Sequence, residues 1–270
     1  IQMEEKNLKF FYEIVKNLGG GSYGNVYLAK NKKTGEFLAA KTIDINLDFV
    51  EDSMQSIRRE IDILSGITTP TIIKFRGYSL DDFEHRNKPT IFMDYMKNGS
   101  LNNVCYKIKK IKTDKYDSTA RQITLIGIAY GMKLFHQKGG IHRDLKTANI
   151  LIDDYLRPKI TDFGSSKIIL DITNKNNTGW VGTPLFMAPE AFSEEYDQSV
   201  DVYSFAIIMF EILSESYCFP NNKLSPYKFS EEVRKNHLRP KFTQKVKPFL
   251  KRLIKLCWSQ DPNKRPSFDD

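Results

Sequence analysis

With 270 residues, 40% of them hydrophobic and 27% charged, the chain has the composition of an ordinary globular protein, which excludes a largely disordered or fibrous one. Its net charge of +8 comes partly from a Lys/Arg-rich stretch, Lys223 to Arg265, that could draw acidic substrates, nucleic acid or anionic lipid. A solvated surface is the simpler account. Basic and apolar residues alternate from Phe249 to Lys255 as in an amphipathic helix, so no nucleic-acid partner is expected.

The length fits one large domain or two lobes, and two lobes are expected. Cys105, Cys218 and Cys257 are far apart, odd in number and outside any CxxC spacing. Neither a disulfide framework nor a zinc site is expected, and a reducing cytoplasmic setting is the default. The longest apolar run, Phe205 to Phe210, is far too short to cross a bilayer, so no membrane insertion is expected. The chain opens at Ile1 with no signal-peptide pattern and reads as a piece of a larger protein.

In chain order, Phe10 to about Ile43 is strand-like, with a glycine cluster at Gly19 to Gly24 and a turn at Asn31 to Gly35, predicting a three-stranded antiparallel meander. Ile57, Ile61 and Leu64 recur at helical spacing within Ser53 to Ser65, and strands follow at Ile72 to Ser79 and Thr90 to Tyr95. After the loop Met96 to Ser100 the pattern becomes mostly helical, beginning with a face of Ile123, Ile126, Gly127, Tyr130 and Leu134. Val202 to Leu213 is apolar nearly all round, which predicts a helix buried on every side.

Three segments carry chemistry. The glycines of Gly19-Gly20-Gly21-Ser22-Tyr23-Gly24 could let backbone N–H groups approach phosphates, although a ligand-free hairpin accounts for them equally well. A strand rather than a helix follows, which disfavours a dinucleotide fingerprint. Lys41 shares a strand face with Ala39 among apolar neighbours, and Glu60 borders the apolar stripe of the next helix. An inward Lys and an inward carboxylate would satisfy one another; two snorkelling surface charges are the other reading. The third segment, Ile141 to Ile152, contains His142-Arg143-Asp144-Leu145-Lys146 and Asn149, and Asp162-Phe163-Gly164 begins 13 residues after Asn149. Hard oxygen ligands beside a cation suit Mg²⁺ and phosphate.

Together these segments resemble a eukaryotic protein kinase catalytic domain, from about Phe10 to Phe268. The resemblance implies an α+β, bilobal protein-kinase-like fold spanning 1–270. Its N-lobe, about 1–95, would hold a five-stranded antiparallel sheet plus one helix, and its C-lobe, about 96–270, would be mainly helical. It also implies ATP with Mg²⁺ or Mn²⁺ and a protein substrate. By motif, Gly19, Gly20, Gly21 and Gly24 with Val26 would cover the phosphates, Lys41 would bind them and Glu60 would hold Lys41. Asp144 would orient and deprotonate the acceptor hydroxyl, Lys146 would neutralise the transferred group, Thr183 would bond near both, and Asn149 and Asp162 would hold metal.

Ile91 to Met96 resembles the lobe-joining hinge, with Met93 as gatekeeper and the backbones of Asp94 and Met96 bonding adenine. Val26, Ala39 and Leu151 would flank the base, although a plain core role suits each as well. Glu190 of Ala188-Pro189-Glu190 would pair with Arg265, and Asp201 would be an N-cap, a bond to the catalytic-loop backbone, or both. In the family, the residue equivalent to Arg143 pairs with a phosphate on the activation segment; a solvated Arg is the alternative. Thr173 and Thr178 are the favoured sites, modified by an upstream kinase or by autophosphorylation, ahead of Ser165 and Ser166.

Lys146-Thr147-Ala148 and Gly182-Thr183-Pro184 resemble Ser/Thr kinases, while Cys257-Trp258, Asp261-Pro262 and Arg265-Pro266-Ser267-Phe268 resemble tyrosine-kinase relatives, implying the tyrosine-kinase-like group. The alternatives are a dual-specificity kinase or a nucleotide-binding pseudokinase scaffold. A small-molecule phosphotransferase fits less well, because the segment before Glu190 resembles a protein-substrate platform. Two departures stand out: Thr69-Pro70-Thr71-Ile72 replaces a common His-Pro-Asn, and the loop Asp81 to Pro89 is longer than usual.

Overall fold

The computed structural model describes residues 8–21, 24–45, 50–84, 86, 88–105, 116–168, 183–192, 196–242 and 246–270. The chain divides into two compact units, Ile1–Lys97 and Asn98–Asp270, each taken by itself below.

The first unit begins with a single helical turn, α1 (Leu8–Phe11), where the sequence pattern already read as strand. It continues through β1 (Tyr12–Gly21), β2 (Gly24–Asn31), β3 (Phe37–Ile43), α2 (Val50–Gly66), β4 (Phe75–Ser79) and β5 (Thr90–Asp94). The strands form one antiparallel sheet in the order β1-β2-β3-β5-β4, so the expected meander is followed by a pair in which β5 lies inside β4. The β2–β3 turn is organised by Asn31, whose Oδ1 accepts from the backbone N–H of Lys33 and Thr34 at 2.9 Å each. Gly35 takes the left-handed conformation there, φ 74°.

Side-chain alternation splits this sheet into two faces. On one, Tyr12, Ala29, Leu38, Ala40 and Phe92 pack with Leu8 and Phe83 into an apolar cluster. Phe83 comes from the long loop Asp81 to Pro89. The buried Asp82 ties that loop down, its Oδ1 accepting from the backbone N–H of Arg86 at 2.8 Å and its Oδ2 from the Arg86 Nε at 2.8 Å. The extra length therefore contributes core to this unit.

The second unit contains α3 (Leu101–Cys105), α4 (Ser118–Gln137), β6 (Gly140–Ile141), β7 (Ile150–Ile152), β8 (Pro158–Ile160), β9 (Lys167–Ile168), α5 (Ser199–Ser214), α6 (Pro226–Lys235) and α7 (Pro248–Cys257). It is mainly helical, with two short ribbons, β6–β9 and β7–β8. Helix α5 is buried almost throughout, as its all-apolar pattern predicts, and packs against α4 and α7. Among the described residues no helix is long and apolar enough to cross a membrane.

Helix α4 forms where expected, capped by Asp117, whose Oδ1 accepts from the Ala120 N–H at 2.9 Å. Its inward face is a correction. Ala120, Thr124, Ile128, Gly131, Met132 and Phe135 are buried, whereas Ile123, Ile126 and Tyr130 are 46%, 69% and 48% exposed. The true stripe carries small residues that let neighbouring elements approach, and these weigh little in a pattern that counts bulky side chains. Ile126→Ser should therefore shift stability by no more than about 0.5 kcal/mol, while Met132→Ala should cost about 2–5 kcal/mol, as measured by urea unfolding.

Candidate active site

In the first unit, cross-strand register puts Val26 opposite Lys41, Ala39 opposite Met93 and Lys41 opposite Ile91, so Val26, Ala39, Lys41 and Met93 share the sheet face away from the Phe83 cluster. Ala39 and Met93 are buried. Lys41 Nζ donates to both Glu60 carboxylate oxygens, at 2.8 and 3.0 Å, and Glu60 is only 2% exposed. The two inward charges are therefore paired to one another rather than lying as surface side chains. Helix α2 can bury Glu60 beside Ile57, Ile63 and Leu64 because this ion pair offsets the cost of dehydrating its carboxylate.

Gly19, Gly20 and Gly21 end β1 and Gly24 opens β2, with Gly21 paired to Gly24. Gly24 is required by space: its φ is 122°, and a Cβ there would lie 1.9 Å from the Thr42 carbonyl oxygen. At the far end of β5, the Asp94 N–H donates to the Lys74 carbonyl at 3.1 Å. That N–H is therefore already occupied within the protein. The Asp94 side chain accepts from the Arg76 Nε. Met96 follows two residues on and is half-buried.

In the second unit, Asp144, Lys146, Asn149 and Thr183 converge. The buried Asp144 carboxylate accepts from Lys146 Nζ (2.6 Å) and Asn149 Nδ2 (3.0 Å) on Oδ2, and from the Thr183 N–H (3.0 Å) and hydroxyl (3.1 Å) on Oδ1. Lys146 Nζ also donates to Thr183 Oγ1 at 2.7 Å. One carboxylate is thus fixed by four donors from three residues, the farthest of them 39 positions along the chain from Asp144. Beside it opens a cavity of about 550 Å³ walled by Lys146, Thr183, Leu185, Tyr217 and Phe219 among others.

The β7–β8 ribbon places Asn149 and Asp162 at a common end, since Ile150 pairs with Ile160 and the Thr161 N–H donates to the Asn149 carbonyl at 3.0 Å. Asp162 is left-handed, φ 66°, and is followed by the turn Phe163–Ser165, whose Phe163 is fully buried against Phe135 and His142. A strained non-glycine backbone held by packing is characteristic of functional positions. Leu151, in β7, is half-buried and bridges to Ser100.

These residues fit a magnesium ion. Asn149 donates both its bonds, to the Asp144 carbonyl (2.8 Å) and Oδ2, through Nδ2, which turns its hard Oδ1 away from Asp144. Asp162 adds a carboxylate, and one or two carboxylates completed by phosphate oxygens are what Mg²⁺ ordinarily uses. Among the described residues, no cluster of three or more His, Cys, Asp or Glu forms a dedicated metal cage.

A second layer of residues supports the site. Asp201 is a correction to the N-cap reading: the cap position of α5 is Gln198, and Asp201, fully buried inside the first turn, accepts instead from the backbone N–H of His142 (2.8 Å) and Arg143 (3.0 Å). His136 Nε2 adds a third contact at 2.9 Å, and Gln198 Nε2 donates to the carbonyls of His136 (2.7 Å) and Gly140 (2.9 Å). Glu211, buried in α5, accepts from the Thr147 hydroxyl and the Cys218 N–H at 3.0 Å each. A charge inside an otherwise apolar run was the signal for Glu211; His136 and Gln198 left none. Glu190 and Arg265 pair as expected, with Arg265 Nη2 donating to Oε2 at 2.9 Å. Tyr203 lies under the guanidinium groups of Arg239 and Arg265, and burial pushes its hydroxyl up to about 12.

Arg143, left-handed at φ 67°, donates to the carbonyls of Ser165 and Ser166 and to the Tyr196 hydroxyl, none of them anionic. Ser165 and Ser166 are buried. Thr173 and Thr178 lie outside the described residues.

The protein kinase domain family model matches residues 12–270. A Dictyostelium discoideum protein named "Probable serine/threonine-protein kinase" is 32% identical over 262 residues, covering 96% of this chain and 19% of that protein. Serine/threonine-protein kinase VIK of Arabidopsis thaliana is 35% identical over 265 residues (94% of this chain, 57% of VIK). Dual specificity protein kinase shkC of Dictyostelium discoideum is 32% identical over 274 residues (100% of this chain, 51% of shkC). The chain thus spans between about a fifth and just over half of the length of these relatives. With its family model covering nearly the whole sequence, the chain belongs to the protein kinase domain family.

Proposed function

We propose that the chain transfers the γ-phosphoryl group of ATP to Ser/Thr hydroxyls of protein substrates, as a kinase of the tyrosine-kinase-like group. The observation that carries this reading is the Asp144 carboxylate held between Lys146, Asn149 and Thr183. A carboxylate so fixed can orient an acceptor hydroxyl and take its proton on an Oδ atom, while Lys146, also bonded to Thr183, offsets charge on the phosphoryl group in transit. Lys41, fixed by Glu60, presents its ammonium to the α- and β-phosphates. In the first unit Gly19, Gly20, Gly21 and Gly24, with Val26, cover the phosphates, and the backbones of Asp94 and Met96 bond the base beside Ala39 and Met93; in the second unit Leu151 is the apolar residue offered to the base.

Magnesium, held through Asn149 Oδ1 and the Asp162 carboxylate, would supply charge neutralisation at the phosphates; manganese has the same ligand preference for oxygen. The cavity beside Lys146 and Thr183 favours a polypeptide acceptor, because its Leu185, Tyr217 and Phe219 walls offer apolar contact to residues flanking a hydroxyl. Among the described residues Arg143 bonds to neutral oxygens, which suits it to a phosphate on Thr173 or Thr178 placed by an upstream kinase or by autophosphorylation. The free, buried thiols of Cys218 and Cys257 accord with a reducing cytoplasmic location.

The test is phosphate transfer from γ-labelled ATP to casein, followed by phosphoamino-acid analysis, with activation-segment phosphorylation secured beforehand. Label on Ser and Thr, dependent on added Mg²⁺, is expected. Transfer no greater than that of Asp144→Asn would overturn the enzyme reading in favour of a nucleotide-binding scaffold. Label on Tyr as well would assign dual specificity.

A further inference from the structure

Helix α7 has a second apolar face. Its inner side buries Ile254 and Cys257, yet Phe249, Leu253 and Leu256 are 58%, 41% and 47% exposed. Their spacing of four and three residues aligns them in one outward stripe. Lys247, at the cap position, and Lys251 and Lys255 within the helix follow each other at intervals of four and form an exposed basic ridge on the other flank of the helix, where Lys251 Nζ lies 5.1 Å from the Phe242 ring centroid; the exposed Arg252 stands between that ridge and the apolar stripe. No acidic residue occurs in the 28 positions between Glu232 and Asp261, whereas nine are Lys or Arg. Of the nearest acids on α6, Glu231 is already paired with Lys235 at 2.7 Å, and Glu232 accepts from Asn236 at 3.0 Å.

We propose that this face of α7 seats the protein on an anionic membrane surface, with Phe249, Leu253 and Leu256 in the headgroup layer and the lysines against lipid phosphates and carboxylates. Exposed apolar side chains in line mark an interaction surface, and the basic ridge specifies a negatively charged occupant. A second copy of the chain would bring like charges together, which excludes it. An acidic protein helix is the remaining competitor, and residue type argues against it. Lysine is depleted at protein–protein interfaces, where arginine is favoured, and it is the ordinary point charge of polybasic membrane-surface segments. Lysine stems also lie along apolar surface while their ammonium groups reach the headgroups. This seating is peripheral and is independent of phosphoryl transfer.

Co-sedimentation of the 270-residue chain with vesicles of phosphatidylcholine, alone or mixed with phosphatidylserine, tests the proposal. Binding to the mixed vesicles only, falling as salt rises, is expected. Lys251→Gln with Lys255→Gln should weaken it about fivefold per charge. Phe249→Ser with Leu253→Ser should weaken it by on the order of tenfold, with unchanged circular dichroism and unchanged casein phosphorylation. Lys16→Gln with Lys33→Gln, on the first unit, should have no effect. Absence of vesicle binding, binding to both vesicle types alike, or equal losses from the two lysine pairs would overturn it. So would capture of an acidic amphipathic peptide by α7 without vesicle binding, which would give the face to a protein partner.

Discussion

Asp144→Asn is expected to lower phosphoryl transfer by about 10²- to 10⁴-fold, the range a positioned general base contributes, and to do so without unfolding the chain. The argument rests on the four donors around this carboxylate. An amide keeps one oxygen for the Thr183 N–H and hydroxyl but puts an NH₂ where Oδ2 receives Lys146 Nζ and Asn149 Nδ2. Three donor groups then face one another. Lys146 is 21% exposed and can swing to water, so the cost in stability should stay near about 1–3 kcal/mol. Thr183→Ala removes one of the donors and leaves the base, so its loss should be smaller, about tenfold. Single-turnover transfer measured beside thermal unfolding separates the two effects. A Thr183→Ala loss matching that of Asp144→Asn would mean that Asp144 acts by holding the segment around Thr183 rather than on substrate.

Much of this site was legible because its parts are anomalies in their local pattern. Lys41 on an inward strand position and Glu60 on an inward helix position each need a partner, and the pair at 2.8 Å follows from that need. Asn149 and Asp162 flank two short apolar segments that pair as a ribbon, so a local hairpin accounts for their common placement. The supporting contacts were harder to read. Gln198 and His136 serve carbonyls and a carboxylate some 60 positions away, and nothing in their own neighbourhoods distinguishes them from surface residues. The inward face of α4 is obscure in the sequence because Ala120, Thr124 and Gly131 pack closely without adding bulk, while Ile123 and Ile126 are exposed. From sequence the loop beginning at Asp81 is distinguished only by its length, yet Phe83 completes the core of the first unit once the backbone returns to β5.

Asp201→Asn should produce the other large effect, on stability. Asp201 is fully buried and receives the N–H groups of His142 and Arg143 and the imidazole of His136, so an amide at this position turns an N–H toward donors that have no water to replace the lost oxygen. Breaking a buried charged cluster on one side costs about 3–5 kcal/mol. Arg143 has the left-handed backbone φ of 67°, so part of what Asp201 holds is a strained turn leading into Asp144, and transfer should fall together with stability. Burial pushes the Asp201 carboxyl up, but the hydrogen bond and charge of His136, the charge of His142 and the His142 N–H outweigh it and leave the carboxyl below its ordinary value. A depressed folded-state value binds fewer protons than the unfolded chain, so this contribution is complete above the ordinary carboxyl range near about 3.9 and fades as pH falls through the lower folded value. Urea unfolding from neutral pH downward should give a wild-type advantage over Asp201→Asn that holds constant to about pH 5 and narrows under stronger acid. An advantage that grew on acidification would mean that the buried carboxyl takes up its proton in the folded state before the unfolded one, reversing the electrostatic order assigned to His136 and His142.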